Sequence, residues 1–251
     1  MLRALEVIRV ELKPTHSLVT TPEMGVRYLA DYMAGSERKK RSILVSAKYR
    51  PLARLMQHKE AKATISNAFT KGSANKDFLK ERAEYIRNKL SADDFDALTN
   101  EANAGYLSRF ADVIGGLDLP GVEFHPGKSY SVPKAGGLKI IFGSNLILRR
   151  MAKGNKLKVG ALMLRYAKGK PLLPAAAEYQ SAMILGFLQQ LGVEEGAELD
   201  PGLCITLDCH TGIAQPAPSK AITMFKNSLA ACATIADAWP NTPKPPGAVI
   251  K

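Results

Sequence analysis

Cys204, Asp208, Cys209 and His210, in the stretch CITLDCHTG, are the most concentrated run of metal-ligand and nucleophile types in the chain. The period of a strand puts Cys204, Asp208 and His210 on one face and Cys209 on the other. A zinc site wants four ligands at recognised spacings, and no second CxxC or HxxxH completes one. Cys204 therefore reads as a small buried hydrophobe, and no metal site is assigned. His58, in LMQHKEAK, stands two residues before Glu60. Residues two apart on a helix point to different faces, which argues against an acid–base pair. No GxSxG elbow, GxxxxGK phosphate loop or dinucleotide fingerprint is present.

Charge offers a different chemistry. Between Glu123 and Glu178 the chain carries eleven Lys and Arg and no Asp or Glu over 54 residues, where the overall frequency would place about five acids. That segment supplies +11 of a formal net charge of +12. Lys134, Arg149, Arg150, Lys153 and Lys156 lie in or beside its turns, and Arg165, Lys168 and Lys170 emerge at the far side. A second cluster, Arg38, Lys39, Lys40 and Arg41, continues to Lys48, Arg50 and Arg54, with Tyr49 among them. Such residues suit phosphate oxygens, and Tyr49 suits either base stacking or the core. A pI near 9.6 favours nucleic acid first, an anionic membrane surface second and an acidic protein third.

The remaining composition sets the context. With 251 residues, 46% hydrophobic and 23% charged, the chain has the profile of a globular protein able to build one sizeable core or two small ones. Three clustered cysteines do not make a disulfide framework. Apolar runs fall well short of the roughly 20 residues of a membrane span. MLRALEVIRVELKP mixes Glu and Arg through its apolar positions, unlike a signal peptide. A cytoplasmic protein without membrane attachment is expected.

The elements that must carry these charges divide by rhythm. Residues 1–116 read as mostly helical. A helix is expected after Thr21 and Pro22, closing at Gly35, then two more broken at Pro51. Two others follow, with Asn75 as a cap and Ser91 and Asp94 at capping-box spacing. Residues 117–240 read as an antiparallel meander, SYSV, LKIIF, NLILRR and KLKVGALMLRY, packed against two long helices. In a meander alternate turns share an end, so Lys134 should join Arg149, Arg150, Lys153 and Lys156 on one rim. The run Val159–Leu164 is apolar on both faces, as in a strand covered on both sides. Helices from Pro174 to Gly192 and after Ser219 flank the strand LCITLD and a short partner GIAQ, and residues 241–251 form an extended Pro-rich tail. The class is α+β.

This order of helices, meander, helix, strand and helix, with the segments VGALMLRYAKGKPL, AEYQSAMILGFL, LCITLDCHTGIAQPAP and AACATIADAWP, resembles the core of the PD-(D/E)XK nuclease-like superfamily over roughly residues 119–240. The segments also resemble a group of uncharacterised bacterial proteins. The resemblance implies a carboxylate on the second strand and an acid-x-Lys on the third, holding Mg²⁺ beside the scissile phosphate. Here Asn145 stands where the Asp is wanted, and GALMLRYAK has no acid before Lys168.

The expectation is thus a nucleic-acid-binding protein, partner to DNA or RNA, that contacts the phosphate backbone without cleaving it and needs no cofactor. The first alternative is a nuclease with displaced carboxylates drawn from Glu123, Glu178 or Asp208, which alone would call for Mg²⁺. The second is an interaction protein docking on an acidic partner through the PNTPKPPG tail and the last helix.

Overall fold

Capping residues and glycine turns set most element ends. The computed structural model describes residues 13–52, 58–167 and 169–251. Arg54, Lys168 and the N-terminal stretch 1–12 lie outside them. The chain enters through β1 (His16–Leu18) and β2 (Glu23–Gly25), then forms α1 (Val26–Ala34), α2 (Glu37–Lys48) and β3 (Tyr49–Pro51). Three helices follow, α3 (Lys59–Thr70), α4 (Lys76–Arg87) and α5 (Asp94–Val113). Ser36 caps α2 and Asn75 caps α4, each side chain accepting from the backbone N–H three residues on. The cap of α5 is Asp93, not Ser91, whose hydroxyl accepts from the Asn100 side chain instead. The expected first helix begins four residues after Pro22, because Glu23–Gly25 pair in parallel with Lys139–Ile141 and are held extended.

The second half runs β4 (Glu123–Pro126), β5 (Ser129–Tyr130), β6 (Lys139–Gly143), β7 (Leu146–Ala152), β8 (Lys156–Arg165), α6 (Pro174–Leu191), β9 (Ala197–Asp208), β10 (Ala214–Pro216) and α7 (Ala221–Ala238). The class is α+β, but the strands do not form one continuous meander. β6 pairs with β2 and β5 in a three-stranded sheet, whereas β7 joins a five-stranded sheet ordered β10-β9-β8-β7-β4. The two-residue link at Ser144 and Asn145 makes the change of sheet, and the Asn145 side chain pins it by accepting from the Leu164 N–H at 2.8 Å. The β8–α6–β9 crossover makes β8 and β9 parallel, as a helical connection allows.

Both faces of β8 are covered, as its sequence implies. Ala161 and Met163 join a core formed with α1, α2, α6 and α7, while Leu162 and Leu164 join another under α3, α4 and α5. Each core takes residues from both halves of the chain. At the α6–α7 contact a Cβ on Gly186 would stand 2.2 Å from the Phe225 ring, so glycine there permits the close approach. α7 starts at Lys220 without a side-chain cap from Ser219. The Pro-rich tail is tied down, the Val249 carbonyl accepting from Thr15 N–H at 2.9 Å and Ile250 bridging to His16. Among the described residues no helix is long and apolar enough to cross a membrane.

Candidate functional site

The amino end of β8 gathers the basic residues that the sequence singles out, together with acids that come from elsewhere. β9 runs parallel to β8 and puts Glu198 opposite Lys158 in the register. Glu198 pairs with both Lys158 and Lys156, and these hydrogen bonds hold its carboxyl below the usual range. Between Val159↔Leu199 and Ala161↔Cys204 the register jumps, and the displaced segment of β9 carries Asp200 to Arg150 at 2.9 Å. Glu194, in the α6–β9 loop, pairs with Arg149. At the rim Arg149, Arg150, Lys156 and Lys158 are therefore each paired with an acid from the α6–β9 loop or from β9. Of the expected rim residues, Lys153 and Lys134 are exposed with no carboxylate partner among the described residues. Lys134 belongs to the turn before β6, in the other sheet. That turn is seated on α7, where a Cβ on Gly136 would lie 2.5 Å from Ala233 N.

The helical cluster separates into two groups. Lys48 is buried, and its amine donates to the carbonyls of Trp239, Pro240 and Thr242 at 2.8, 2.9 and 3.2 Å, closing the C-terminus of α7. Arg50 pairs with Glu23, and Tyr49 leans its hydroxyl toward Thr242 O. These three serve the fold. On the first turns of α2, Lys40 pairs with Glu37. Arg38, Lys39 and Arg41 are exposed and meet no carboxylate among the described residues.

The carboxyl ends of β8 and β9 assemble a polar cluster that local sequence does not reveal. Arg165 is buried, donating to both oxygens of Asp31 at 2.7 and 2.9 Å, to Gln180 Oε1 at 2.7 Å and to Arg27 O at 3.1 Å. Asp208 accepts from the N–H groups of Leu172 and His210, each at 2.9 Å, and from the Thr211 hydroxyl at 2.8 Å. Both carboxylates are thus engaged. Lys39 of α2 and Lys170 of the β8–α6 loop flank them across a cavity of about 200 Å³, which Tyr166 and Leu172 also line.

Behind that cavity lies an aromatic group. Tyr106 stacks on Tyr166 at 4.2 Å between centroids, and His58 stands edge-on to both at 5.3 Å. Arg109 Nε donates to His210 O at 2.7 Å. Burial, with Arg27 and Arg165 nearby, pulls the Lys62 amine down to about 8. Burial and then Lys62 lower His58, while burial raises Tyr166. His58 Nδ1, the Tyr106 hydroxyl and His210 Nδ1 have no hydrogen-bond partner, although the hydroxyl faces the Cys209 thiol. Arg27, Lys39, Lys62, Arg165 and Lys170, five cations, here meet two carboxylates, Asp31 and Asp208, while Arg109 beside them also faces Asp112. In the sequence Lys39, Arg165 and Lys170 stood out, but not their meeting, because Lys39 comes from a helix packed against the sheet end.

The nuclease-type metal positions do not fit Mg²⁺. Asn145 spends its side-chain oxygen on Leu164 N–H, and Leu162 and Leu164 are buried in apolar surroundings. Nor do the displaced carboxylates meet. Glu123 pairs through Arg149 to Val159 and Asp208 to Arg165, which separates them by six positions of β8, about 20 Å. Glu178 faces Lys220. Among the described residues no three His, Cys, Asp or Glu side chains converge. Cys204 and Cys209 are buried in opposite cores, and burial pushes both thiols up to about 12. No protein-family model matches the chain, and no curated protein matches it.

Proposed function

We propose that the protein binds nucleic acid through its phosphate backbone and does not cleave it. The interface lies at the carboxyl ends of β8 and β9 and continues onto the first turns of α2. One observation carries this reading: five cations stand around two carboxylates at that end and both carboxylates are already engaged, whereas Arg149, Arg150, Lys156 and Lys158 at the opposite end are each paired with an acid. Arg38 and Arg41 extend the excess along the first turns of a twelve-residue helix, where the backbone dipole also favours phosphate. Arg149, Arg150 and Lys156, held by Glu194, Asp200 and Glu198, contribute less than their number in the sequence implies.

The test is fluorescence anisotropy of labelled single- and double-stranded DNA and RNA across a salt series, with a gel of the same samples after Mg²⁺ is added. With about four phosphate contacts, log K for duplex DNA should fall with log salt at a slope near −3.6. Lys39→Ala/Lys170→Ala should flatten that slope by up to about two units, and Lys153→Ala/Lys156→Ala by less than one. Absence of binding at about 50 mM salt, or a slope indifferent to the first pair, would overturn the assignment.

A further inference from the structure

A separate cavity opens between the two sheets, near the amino end of β8, with a volume of about 430 Å³. Ligand pockets run from about 300 to 1,000 Å³, so its size suits a small organic molecule. Its floor is apolar, built from Ile147, Val159 and Leu188. Its mouth carries His125, Lys128, Tyr130 and Arg149.

Three atoms of that mouth, His125 Nε2, the Tyr130 hydroxyl and Arg149 Nε, are buried and have no hydrogen-bond partner. Glu123 stands 3.6 Å from His125 Nε2, beyond hydrogen-bond reach. Tyr130 approaches Ser144 without bonding to it, its ring stacked on Phe142. Arg149 uses Nη2 on Glu194, and its Nε has no hydrogen-bond partner. A buried unpaired polar atom is uncommon, and three of the residues lining this cavity carry one. Arg149 and Lys128 are donors only, while His125 and Tyr130 can donate. The lining holds Lys128 and Arg149 against Glu194, an excess of one positive charge with His125 left aside. The Lys128 amine stands 5.2 Å above the Tyr130 ring and meets no carboxylate among the described residues.

We infer that this cavity is a binding site for a small monocarboxylate with an apolar body, its carboxylate at Lys128, Tyr130 and Arg149 and its body on Ile147, Val159 and Leu188. A phosphate monoester carries more charge than the lining offsets, which is why a carboxylate fits better. The site is distinct from the phosphate-contacting end, so the two stand or fall separately.

Calorimetric titration of the full chain with benzoate tests it, with benzamide as the neutral isostere and phenyl phosphate as the more highly charged one. Benzoate should saturate at millimolar concentrations, with benzamide about tenfold weaker and phenyl phosphate no tighter. Lys128→Gln and Tyr130→Phe, both conservative in shape, should each weaken benzoate about fivefold, the worth of one hydrogen bond. Lys153→Gln, outside the cavity, and Arg38→Ala/Arg41→Ala should leave it unchanged. The site is refuted if benzoate fails to saturate by about 50 mM, or if neither cavity variant weakens it. Equal binding of benzamide would overturn the carboxylate contact, and tighter phenyl phosphate would reassign the site to phosphate monoesters.

Discussion

Lys158 on β8 and Glu198 on β9 are direct register partners across a parallel strand pair, and their side chains close an ion pair. That relationship is part of how a 54-residue segment with no acid of its own finds countercharge. Its counter-charges arrive from the next strand, after α6 has carried the chain back to the starting edge of the sheet. Glu194, Asp200 and Glu198 meet Arg149, Arg150 and Lys158 from 45, 50 and 40 residues away in the chain.

Releasing those lysines should create a basic rim where none is now available. Glu198→Gln frees Lys156 and Lys158 together, so nucleic-acid binding should tighten at low salt and its salt slope should steepen by up to about two units. Anisotropy across a salt series checks this. An unchanged slope would mean that the rim lies away from the bound strand.

Glu23 joins two sheets, pairing with Lys139 of β6 and Arg50 of β3. Hydrogen bonds from Lys139 and then Arg50 lower its pKa from 4.5. Because the folded value is depressed, the contribution is present above the unfolded pKa and is lost as pH falls through the folded one. Urea unfolding of the wild type and Glu23→Gln should therefore differ most at neutral pH and converge in acid, below the unfolded value.

Lys62 behaves in the opposite sense. Its folded amine titrates at about 8 against 10.5 unfolded, so between these values the unfolded chain binds more protons and stability rises with pH. Lys62→Met should stabilise the fold at pH 7 by up to about 3 kcal/mol, since each pKa unit is worth about 1.4 kcal/mol. The advantage should shrink between pH 8 and 10.5. Thermal unfolding of the two proteins over that range measures it, and a constant difference would show that Lys62 is not desolvated.

Lys48 should matter for stability and not for binding. Lys48→Met strips a charged donor from three carbonyls at the end of α7, two of these contacts being buried, and should cost about 2–4 kcal/mol. Chemical denaturation reads the loss. The salt slope of nucleic-acid binding, measured below the unfolding range, should stay where it is.

Features that depend on a few consecutive residues were readable from the chain alone. Asn75 caps α4, Pro51 lies in the break after α2, Pro174 opens α6 and Gly192 closes it, and the two-faced apolar run of β8 lies between two cores. Each follows from backbone chemistry or side-chain period within one element. Periodicity identifies an apolar face but does not say which element covers it. The parallel pairing of β2 with β6 therefore turned an expected helical start into a strand. The same limit hid the carboxylates that neutralise Arg149 and Arg150, and it hid the meeting of His58 and Tyr106 with Tyr166. Charge could be counted along the chain, but its excess over countercharge at one end of the sheet was decided by long-range register and helix packing.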